Sequence, residues 1–145
     1  MYYVDAEKSI VKNRYVSITS TCGRVHPSMI SKYEAVLKAA GDPTRARILK
    51  LLENGELCVC QIMDVMKLGQ STISGHLAIL RGAGLVRDRK DGRWAYYSLS
   101  DRKQNRYSPP MLALLLGWLD DDPLVRADRR RLASLTTDTS PKRYG

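Results

Sequence analysis

Cys58 and Cys60, in the run Glu56-Leu57-Cys58-Val59-Cys60-Gln61-Ile62, are the residues with the clearest capacity for chemistry in this chain. A thiol pair is a ligand set for a soft metal or metalloid, because thiolates select soft ions. At a helix N-terminus the amide dipoles stabilise negative charge and so favour the thiolate, the ligand form. The spacing poses a geometric difficulty. In a regular helix residues i and i+2 point about 200° apart, so both sulfurs reach one ion only where the backbone is non-helical. Joining them is therefore expected to distort the first turn of any helix that contains both, and a direct Cys58–Cys60 disulfide inside a helix is expected to be strained. Inert burial is the competing reading, since free cysteine is among the most buried residue types. It accounts well for one cysteine and poorly for two that face opposite ways.

The surrounding elements place this pair beside a second functional pattern. Ile30, Tyr33, Val36, Leu37 and Ala40 recur at helical spacing and predict a helix over 29–40, ended by Gly41. Asp42 as N-cap and Pro43 in the first turn open a second helix, and Asn54-Gly55 stop it. A third runs through Val59, Ile62, Met63 and Met66. After the short Leu68-Gly69 turn a fourth carries Ile73, Leu77 and Leu80 and stops at Gly82-Ala83-Gly84. Two short helices joined by a tight glycine-containing turn form a helix-turn-helix pattern. Strands over 85–90 and 93–99 follow, flanking Asp91-Gly92, a strong hairpin signal. Trp94, Tyr96 and Tyr97 favour the second strand. The expected fold is thus mainly α with a two-stranded wing, a winged helix-turn-helix.

In such a motif the N-terminal residues of the second helix meet base edges in the major groove. Here they read Gln70-Ser71-Thr72-Ile73-Ser74-Gly75-His76. Gln pairs bidentately with adenine, and Ser or Thr serves bases or phosphates. Gln70, Ser71, Thr72, Ser74 and His76 are the candidate contacts, while Ile73 and Leu77 face the core. The plainer alternative is that the hydroxyls only cap and solvate a helix start, and that His76 holds its own helix in place. The wing adds Arg87, Arg89, Lys90 and Arg93, suited to phosphate or to the minor groove unless they are simply a solvated face.

The composition agrees. The net charge is +9 and the pI about 9.7 over 145 residues, a balance that favours an anionic partner. Three cysteines make no disulfide framework, no secretory h-region opens the chain, and the apolar run Met111 to Leu116 is too short for a membrane span. A reducing cytoplasm and no membrane association are expected. An enzyme is not expected: only His26 and His76 are present, and no nucleotide-binding glycine loop appears.

At the C-terminal end Pro109-Pro110 open an almost wholly apolar helix expected to run through Leu119. Two surfaces must cover it, its own core and a second subunit, unless it is a buried core helix. Asp120-Asp121-Asp122-Pro123 break it, and 124–135 form a basic helix. The domain reading is an N-terminal arm over 1–28, a DNA-binding domain with the thiol site over 29–101, a dimerisation region over 102–135 and a disordered tail over 136–145, with helical dimerisation elements at both ends.

Four stretches resemble the ArsR/SmtB family of winged-helix repressors: Ala40-Gly41-Asp42-Pro43-Thr44-Arg45-Ala46-Arg47-Ile48-Leu49, Glu56-Leu57-Cys58-Val59-Cys60, Gln70-Ser71-Thr72-Ile73-Ser74-Gly75-His76-Leu77 and Gly92-Arg93-Trp94-Ala95-Tyr96-Tyr97. The resemblance spans 31–100. It implies a homodimer that represses from double-stranded operator DNA and leaves when an ion binds. It also implies that Cys58 and Cys60 match the pair used for As(III) or Sb(III), with Cd(II) or Pb(II) as the alternative inducer and no organic cofactor. A thiol-redox regulator on the same fold is a further alternative. Trivalent arsenic takes three sulfurs in the family. Cys22 is the candidate third, from the same arm or the partner's, since the seven-residue link to Met29 can span roughly 23–25 Å. An ordinary loop cysteine is the other reading of Cys22. Two positions depart from the family pattern: Gly69 stands where Ser often caps the recognition helix, and Gly75 where a basic residue is common. With no His beyond His76, the family's zinc-type site on the last helix is not expected.

Overall fold

A computed structural model describes residues 28–101 and 105–137. The helices begin where side chains replace missing backbone partners. Ser28 accepts the Ser31 N–H at 3.1 Å and starts α1, Met29–Ala40. The Asp42 carboxylate accepts the Arg45 N–H at 2.9 Å and, with Pro43, starts α2, Pro43–Leu51. A single 3-10 turn, Leu52–Asn54, carries the chain to Gly55, whose φ of 138° lies where a side chain would strain the backbone. A two-residue strand β1, Leu57–Cys58, leads into α3, Val59–Met66. Lys67 closes that helix in the left-handed conformation, and α4, Gln70–Gly82, follows.

The hairpin is β2, Val86–Asp91, and β3, Trp94–Leu99. Asp91 pairs with Trp94, so the turn is Gly92-Arg93, one residue later than the sequence pattern predicts. Gly92 takes φ 57° while Arg93 keeps a negative φ, which fits a two-residue turn with Gly at its first central position. The sheet also has a third member that the sequence does not announce. β1 pairs antiparallel with β3, in the order β1-β3-β2.

α5, Ser108–Leu116, ends three residues before the expected Leu119. Gly117 caps it, and Leu119 turns at φ 65°. That corner carries Asp120 to Lys50, which is 1% exposed and needs counter-charge: Nζ lies 2.9 Å from Asp120 Oδ1, against Glu53 Oε1, and donates to Leu115 O at 3.3 Å. The basic helix α6, Pro123–Thr137, then packs on α2 and α3 and extends two residues into the segment expected to be a disordered tail. The remaining tail, the arm over 1–27 and residues 102–104 lie outside the described residues. One core joins these layers: Val36 of α1, Ile48 and Leu49 of α2, Ile62 and Val65 of α3, Ile73, Leu77 and Leu80 of α4, and Leu112 and Leu115 of α5. Among the described residues no helix is long and apolar enough to cross a membrane.

Candidate sensor site and nucleic-acid interface

The difficulty posed by the Cys58–Cys60 spacing is resolved by where α3 begins. Cys58 is not in the helix; it is the N-cap, with extended φ −67° and ψ 146°. Its side chain and that of Cys60 therefore converge, with Cα atoms 5.2 Å apart and the sulfurs joined as a disulfide. The expectations of a distorted first turn and of a strained disulfide apply to two cysteines inside a helix, and here only Cys60 is helical. The turn is intact around the pair: Cys60 N–H donates to Cys58 Sγ at 3.2 Å, and Cys58 N–H donates to Gln61 Oε1 at 2.9 Å. These two bonds form a capping box with a sulfur as its acceptor. Cys58 is 5% exposed and Cys60 half-buried.

The pair is joined to both halves of the winged motif, helix and wing. Along α3, Ile62 and Val65 are buried with Ile73 and Leu77 of α4, so the capped helix and α4 share one core. Along β1, Cys58 pairs with Tyr96 and Leu57 with Tyr97 of the wing. Tyr96 pairs in turn with Arg89. Glu56, just before β1, accepts from Arg89 Nη2 at 2.6 Å and Nε at 3.3 Å. Sequence reasoning missed Glu56 and the strand because a two-residue strand has no periodicity, and its partners lie more than 30 positions away.

On α4, Gln70, Ser71, Thr72 and Ser74 are exposed while Ile73 and Leu77 are fully buried. Gly69 is the N-cap and offers no side-chain hydrogen bond, and a Cβ at Gly75 would meet open space. His76 is separated from that exposed row. It is half-buried, its Nδ1 lies 4.0 Å from Asp42 Oδ1, and that nitrogen has no hydrogen-bond partner among the described residues.

The four wing cations divide into two pairs. Arg87 donates to Ser98 Oγ at 2.9 Å and pairs with Asp101 at 3.0 Å. Arg89 pairs with Glu56 and, at 3.3 Å, with Asp91, and lies 4.7 Å over the Tyr96 ring. Lys90 and Arg93 are exposed and form no ion pair with any described residue. The Arg89 guanidinium beside Glu56 holds that carboxyl below the usual carboxylate range.

α6 braces this assembly from behind. Arg47 grips Asp128, 1% exposed, through two bonds of 2.7 and 2.8 Å. Arg129 bridges Glu53 and Asp120, and Arg131 donates to Val65 O near the end of α3 at 3.3 Å. A cleft of about 410 Å³ remains between α6 and the turn leading into β1, lined by Leu57, Gln61, Arg129 and Leu132 among others. On another face, α1 and α5 leave an apolar groove of about 310 Å³ between Tyr33, Leu37, Tyr107, Pro110, Met111 and Leu114. Met29, Ile30, Tyr33 and Leu37 form an exposed apolar stripe along α1.

Once the disulfide is reduced, the two converging thiols supply two soft ligands at one place. Among the described residues no group of three or more Cys, His, Asp or Glu gathers as a metal site, and Cys22 lies outside them.

Comparison with known proteins agrees with this architecture. Residues 42–88 match the family described as "Bacterial regulatory protein, arsR family". An uncharacterised HTH-type transcriptional regulator of Methanocaldococcus jannaschii is 54% identical over 76 residues, which cover 50% of this chain and 85% of the relative. The arsenical resistance operon repressor of Escherichia coli is 40% identical over 101 residues, 68% of this chain and 82% of that protein. Among solved structures, a homodimeric winged helix-turn-helix DNA-binding domain from Mycobacterium bovis superposes with a TM-score of 0.54 at 26% identity, covering 68% of this chain and 87% of that one.

Proposed function

Since this chain belongs to the ArsR/SmtB family of winged-helix transcriptional regulators, we propose that it is a metalloid-responsive repressor whose inducer, As(III) or Sb(III), binds Cys58 and Cys60. The observation that carries the reading is the convergence of two sulfurs at the N-cap of the helix that supports the recognition helix. The family resemblance to arsenical repressors supplies the ion class.

In the DNA-bound state Gln70, Ser71, Thr72 and Ser74 face base edges or phosphates, and Lys90 and Arg93 face the backbone from the wing. Gly69 leaves the recognition helix without a side-chain cap, so its start depends on packing against α3. In the reduced dithiol state an ion bound by both thiolates, with release of the thiol protons, holds the sulfurs further apart than the disulfide does and takes up the Sγ that accepts Cys60 N–H. With Cys58 buried and anchored on β3, the displacement falls on the first turn of α3 and on β1. Cys22 is the proposed third sulfur. To act as a switch the ion must favour the displaced state; a factor of ~100 in operator affinity corresponds to about 2.7 kcal/mol of coupling.

A second copy of the chain is the proposed cover for the groove between α1 and α5 and its apolar stripe, supported by the homodimeric Mycobacterium bovis structure. Two copies would present two recognition helices to two half-sites. Leu37→Glu should then shift the chain to monomer in sedimentation and lower operator affinity; an unchanged dimer places the interface elsewhere.

The disulfide itself favours a second reading, a thiol-redox regulator. A Cys58 thiolate attacks peroxide, releasing one water and leaving a sulfenic acid; Cys60 then displaces the second water and closes the S–S bond. One experiment separates the readings. Reduced, operator-bound protein is titrated with arsenite, antimonite, cadmium, lead and peroxide, and release is followed by anisotropy. Release by arsenite and antimonite, abolished in Cys58→Ser and Cys60→Ser, is the expected result. Release by cadmium or lead alone overturns the metalloid reading, and release by peroxide alone replaces it with the redox one.

A further inference from the structure

Arg89 stands on the wing where a phosphate contact is expected, yet its guanidinium is turned onto the segment that carries the thiols. Nε and Nη2 grip the two Glu56 oxygens, Nη1 reaches Asp91, and the cation covers the Tyr96 ring. Two carboxylates already surround it, so a phosphate would have to displace one. The register explains how this contact arises. Arg89, Tyr96 and Cys58 are directly opposed across three adjacent strands. Directly opposed residues of antiparallel strands project to the same face, and so do residues two apart along a strand. The thiol, the tyrosine ring and the guanidinium therefore share one face, from the sensor pair to the base of the wing turn, and Glu56, just before β1, joins them through its bonds to Arg89.

We propose that Arg89 is a positioning residue rather than a DNA contact, and that the Glu56–Arg89 pair ties the sensor strand to the wing and relays the state of Cys58–Cys60 to the turn carrying Lys90 and Arg93. The relay rests on the sensor reading above; the positioning role does not. Movement of Cys58 carries Glu56 with it, two residues away along the chain. Loss of Glu56 frees Arg89, whose other carboxylate partner, Asp91, closes the turn by pairing with Trp94. The wing tip then loses the tie that fixes its cations relative to α4.

The test is a double-mutant cycle on the full chain: Glu56→Gln, Arg89→Gln, both together, and the exchange Glu56→Arg with Arg89→Glu. Operator affinity is measured by anisotropy over a salt series, for reduced protein and for protein loaded with arsenite or oxidised by peroxide, with thermal melts confirming that each variant folds. An exposed two-toothed pair predicts that each single change lowers the affinity of the reduced protein by about two- to fivefold. The double change should be no worse than either single one, the exchange should recover most of the loss, and the salt slope should stay constant. The ratio between reduced and arsenite- or peroxide-treated affinities should shrink in the single variants. If Arg89→Gln instead lowers the salt slope by about one and Glu56→Gln does not, Arg89 touches phosphate and the proposal is wrong. Additive losses in the cycle overturn it equally. If neither arsenite nor peroxide releases the wild-type protein, the relay falls with the sensor reading, while the cycle on reduced protein still decides the positioning role.

Discussion

Replacing Cys58 by Ser and by Ala separates its two roles, because only one substitution removes the helix cap. In the structure Cys58 Sγ accepts Cys60 N–H at 3.2 Å, and its own N–H is held by Gln61 Oε1 at 2.9 Å. Sulfur is a weak acceptor. A serine oxygen at the same N-cap is a better one, whereas alanine leaves the Cys60 N–H without that partner in a site where Cys58 is only 5% exposed. An N-cap hydroxyl is worth about 1 kcal/mol over alanine. Under reducing conditions Cys58→Ser should therefore be about 1 kcal/mol more stable than Cys58→Ala. For a domain of this size that is a difference of roughly 4 °C in melting temperature, or about 0.5 M in urea midpoint if the slope is near 2 kcal/mol/M. Both variants should lose the response to inducer, and the serine variant should keep wild-type operator affinity. Alanine equal or superior to serine in stability would refute the capping role. That result would make Cys58 a buried core thiol whose sulfur packs rather than caps, and the start of α3 would have to be fixed by β1 and Gln61 alone.

Asp128→Ala strands Arg47 beside α2 and should cost about 3 kcal/mol, the lower end for breaking a buried pair because Arg47 keeps some solvent; a loss below about 1 kcal/mol in urea unfolding would show that α6 does not brace the domain. Arg93→Ala should weaken operator binding across sequences and reduce the salt slope by about one, and an unchanged slope would remove the wing tip from the phosphates. The Asp120 carboxyl is held below its ordinary range by Lys50 first and by Arg129 next. Its stabilisation is complete above the ordinary carboxylate range and lost as pH falls through the lowered value, so melting temperature should drop below about pH 4. Asp120→Asn should flatten that drop, and an identical acid profile in wild type and variant would contradict the assignment.

The helices were legible because their ends carry local chemistry. Asp42-Pro43 and Gly82 act through hydrogen bonds and backbone angles within a turn of their own positions, and those boundaries appear where the pattern puts them. The apolar helix ends at Leu116 rather than at Leu119 because the corner after it answers the buried Lys50, far back in the chain, which a local run of apolar residues does not reveal. The wing cations divide into two pairs for a similar reason. Their charge is visible in sequence, but Glu56, which claims Arg89, is 33 residues away.

For the thiol pair the division is clear. Residue types and spacing alone determined that two thiols stand beside a helix-turn-helix and point to a soft-ligand or redox role for them, since these follow from side-chain chemistry and from the 3.6-residue period of the helices. The tertiary structure decided whether the two sulfurs can meet. β1 exists only by pairing with β3, and that pairing holds Cys58 in extended backbone as the N-cap of α3, which turns two opposed side chains into a convergent pair.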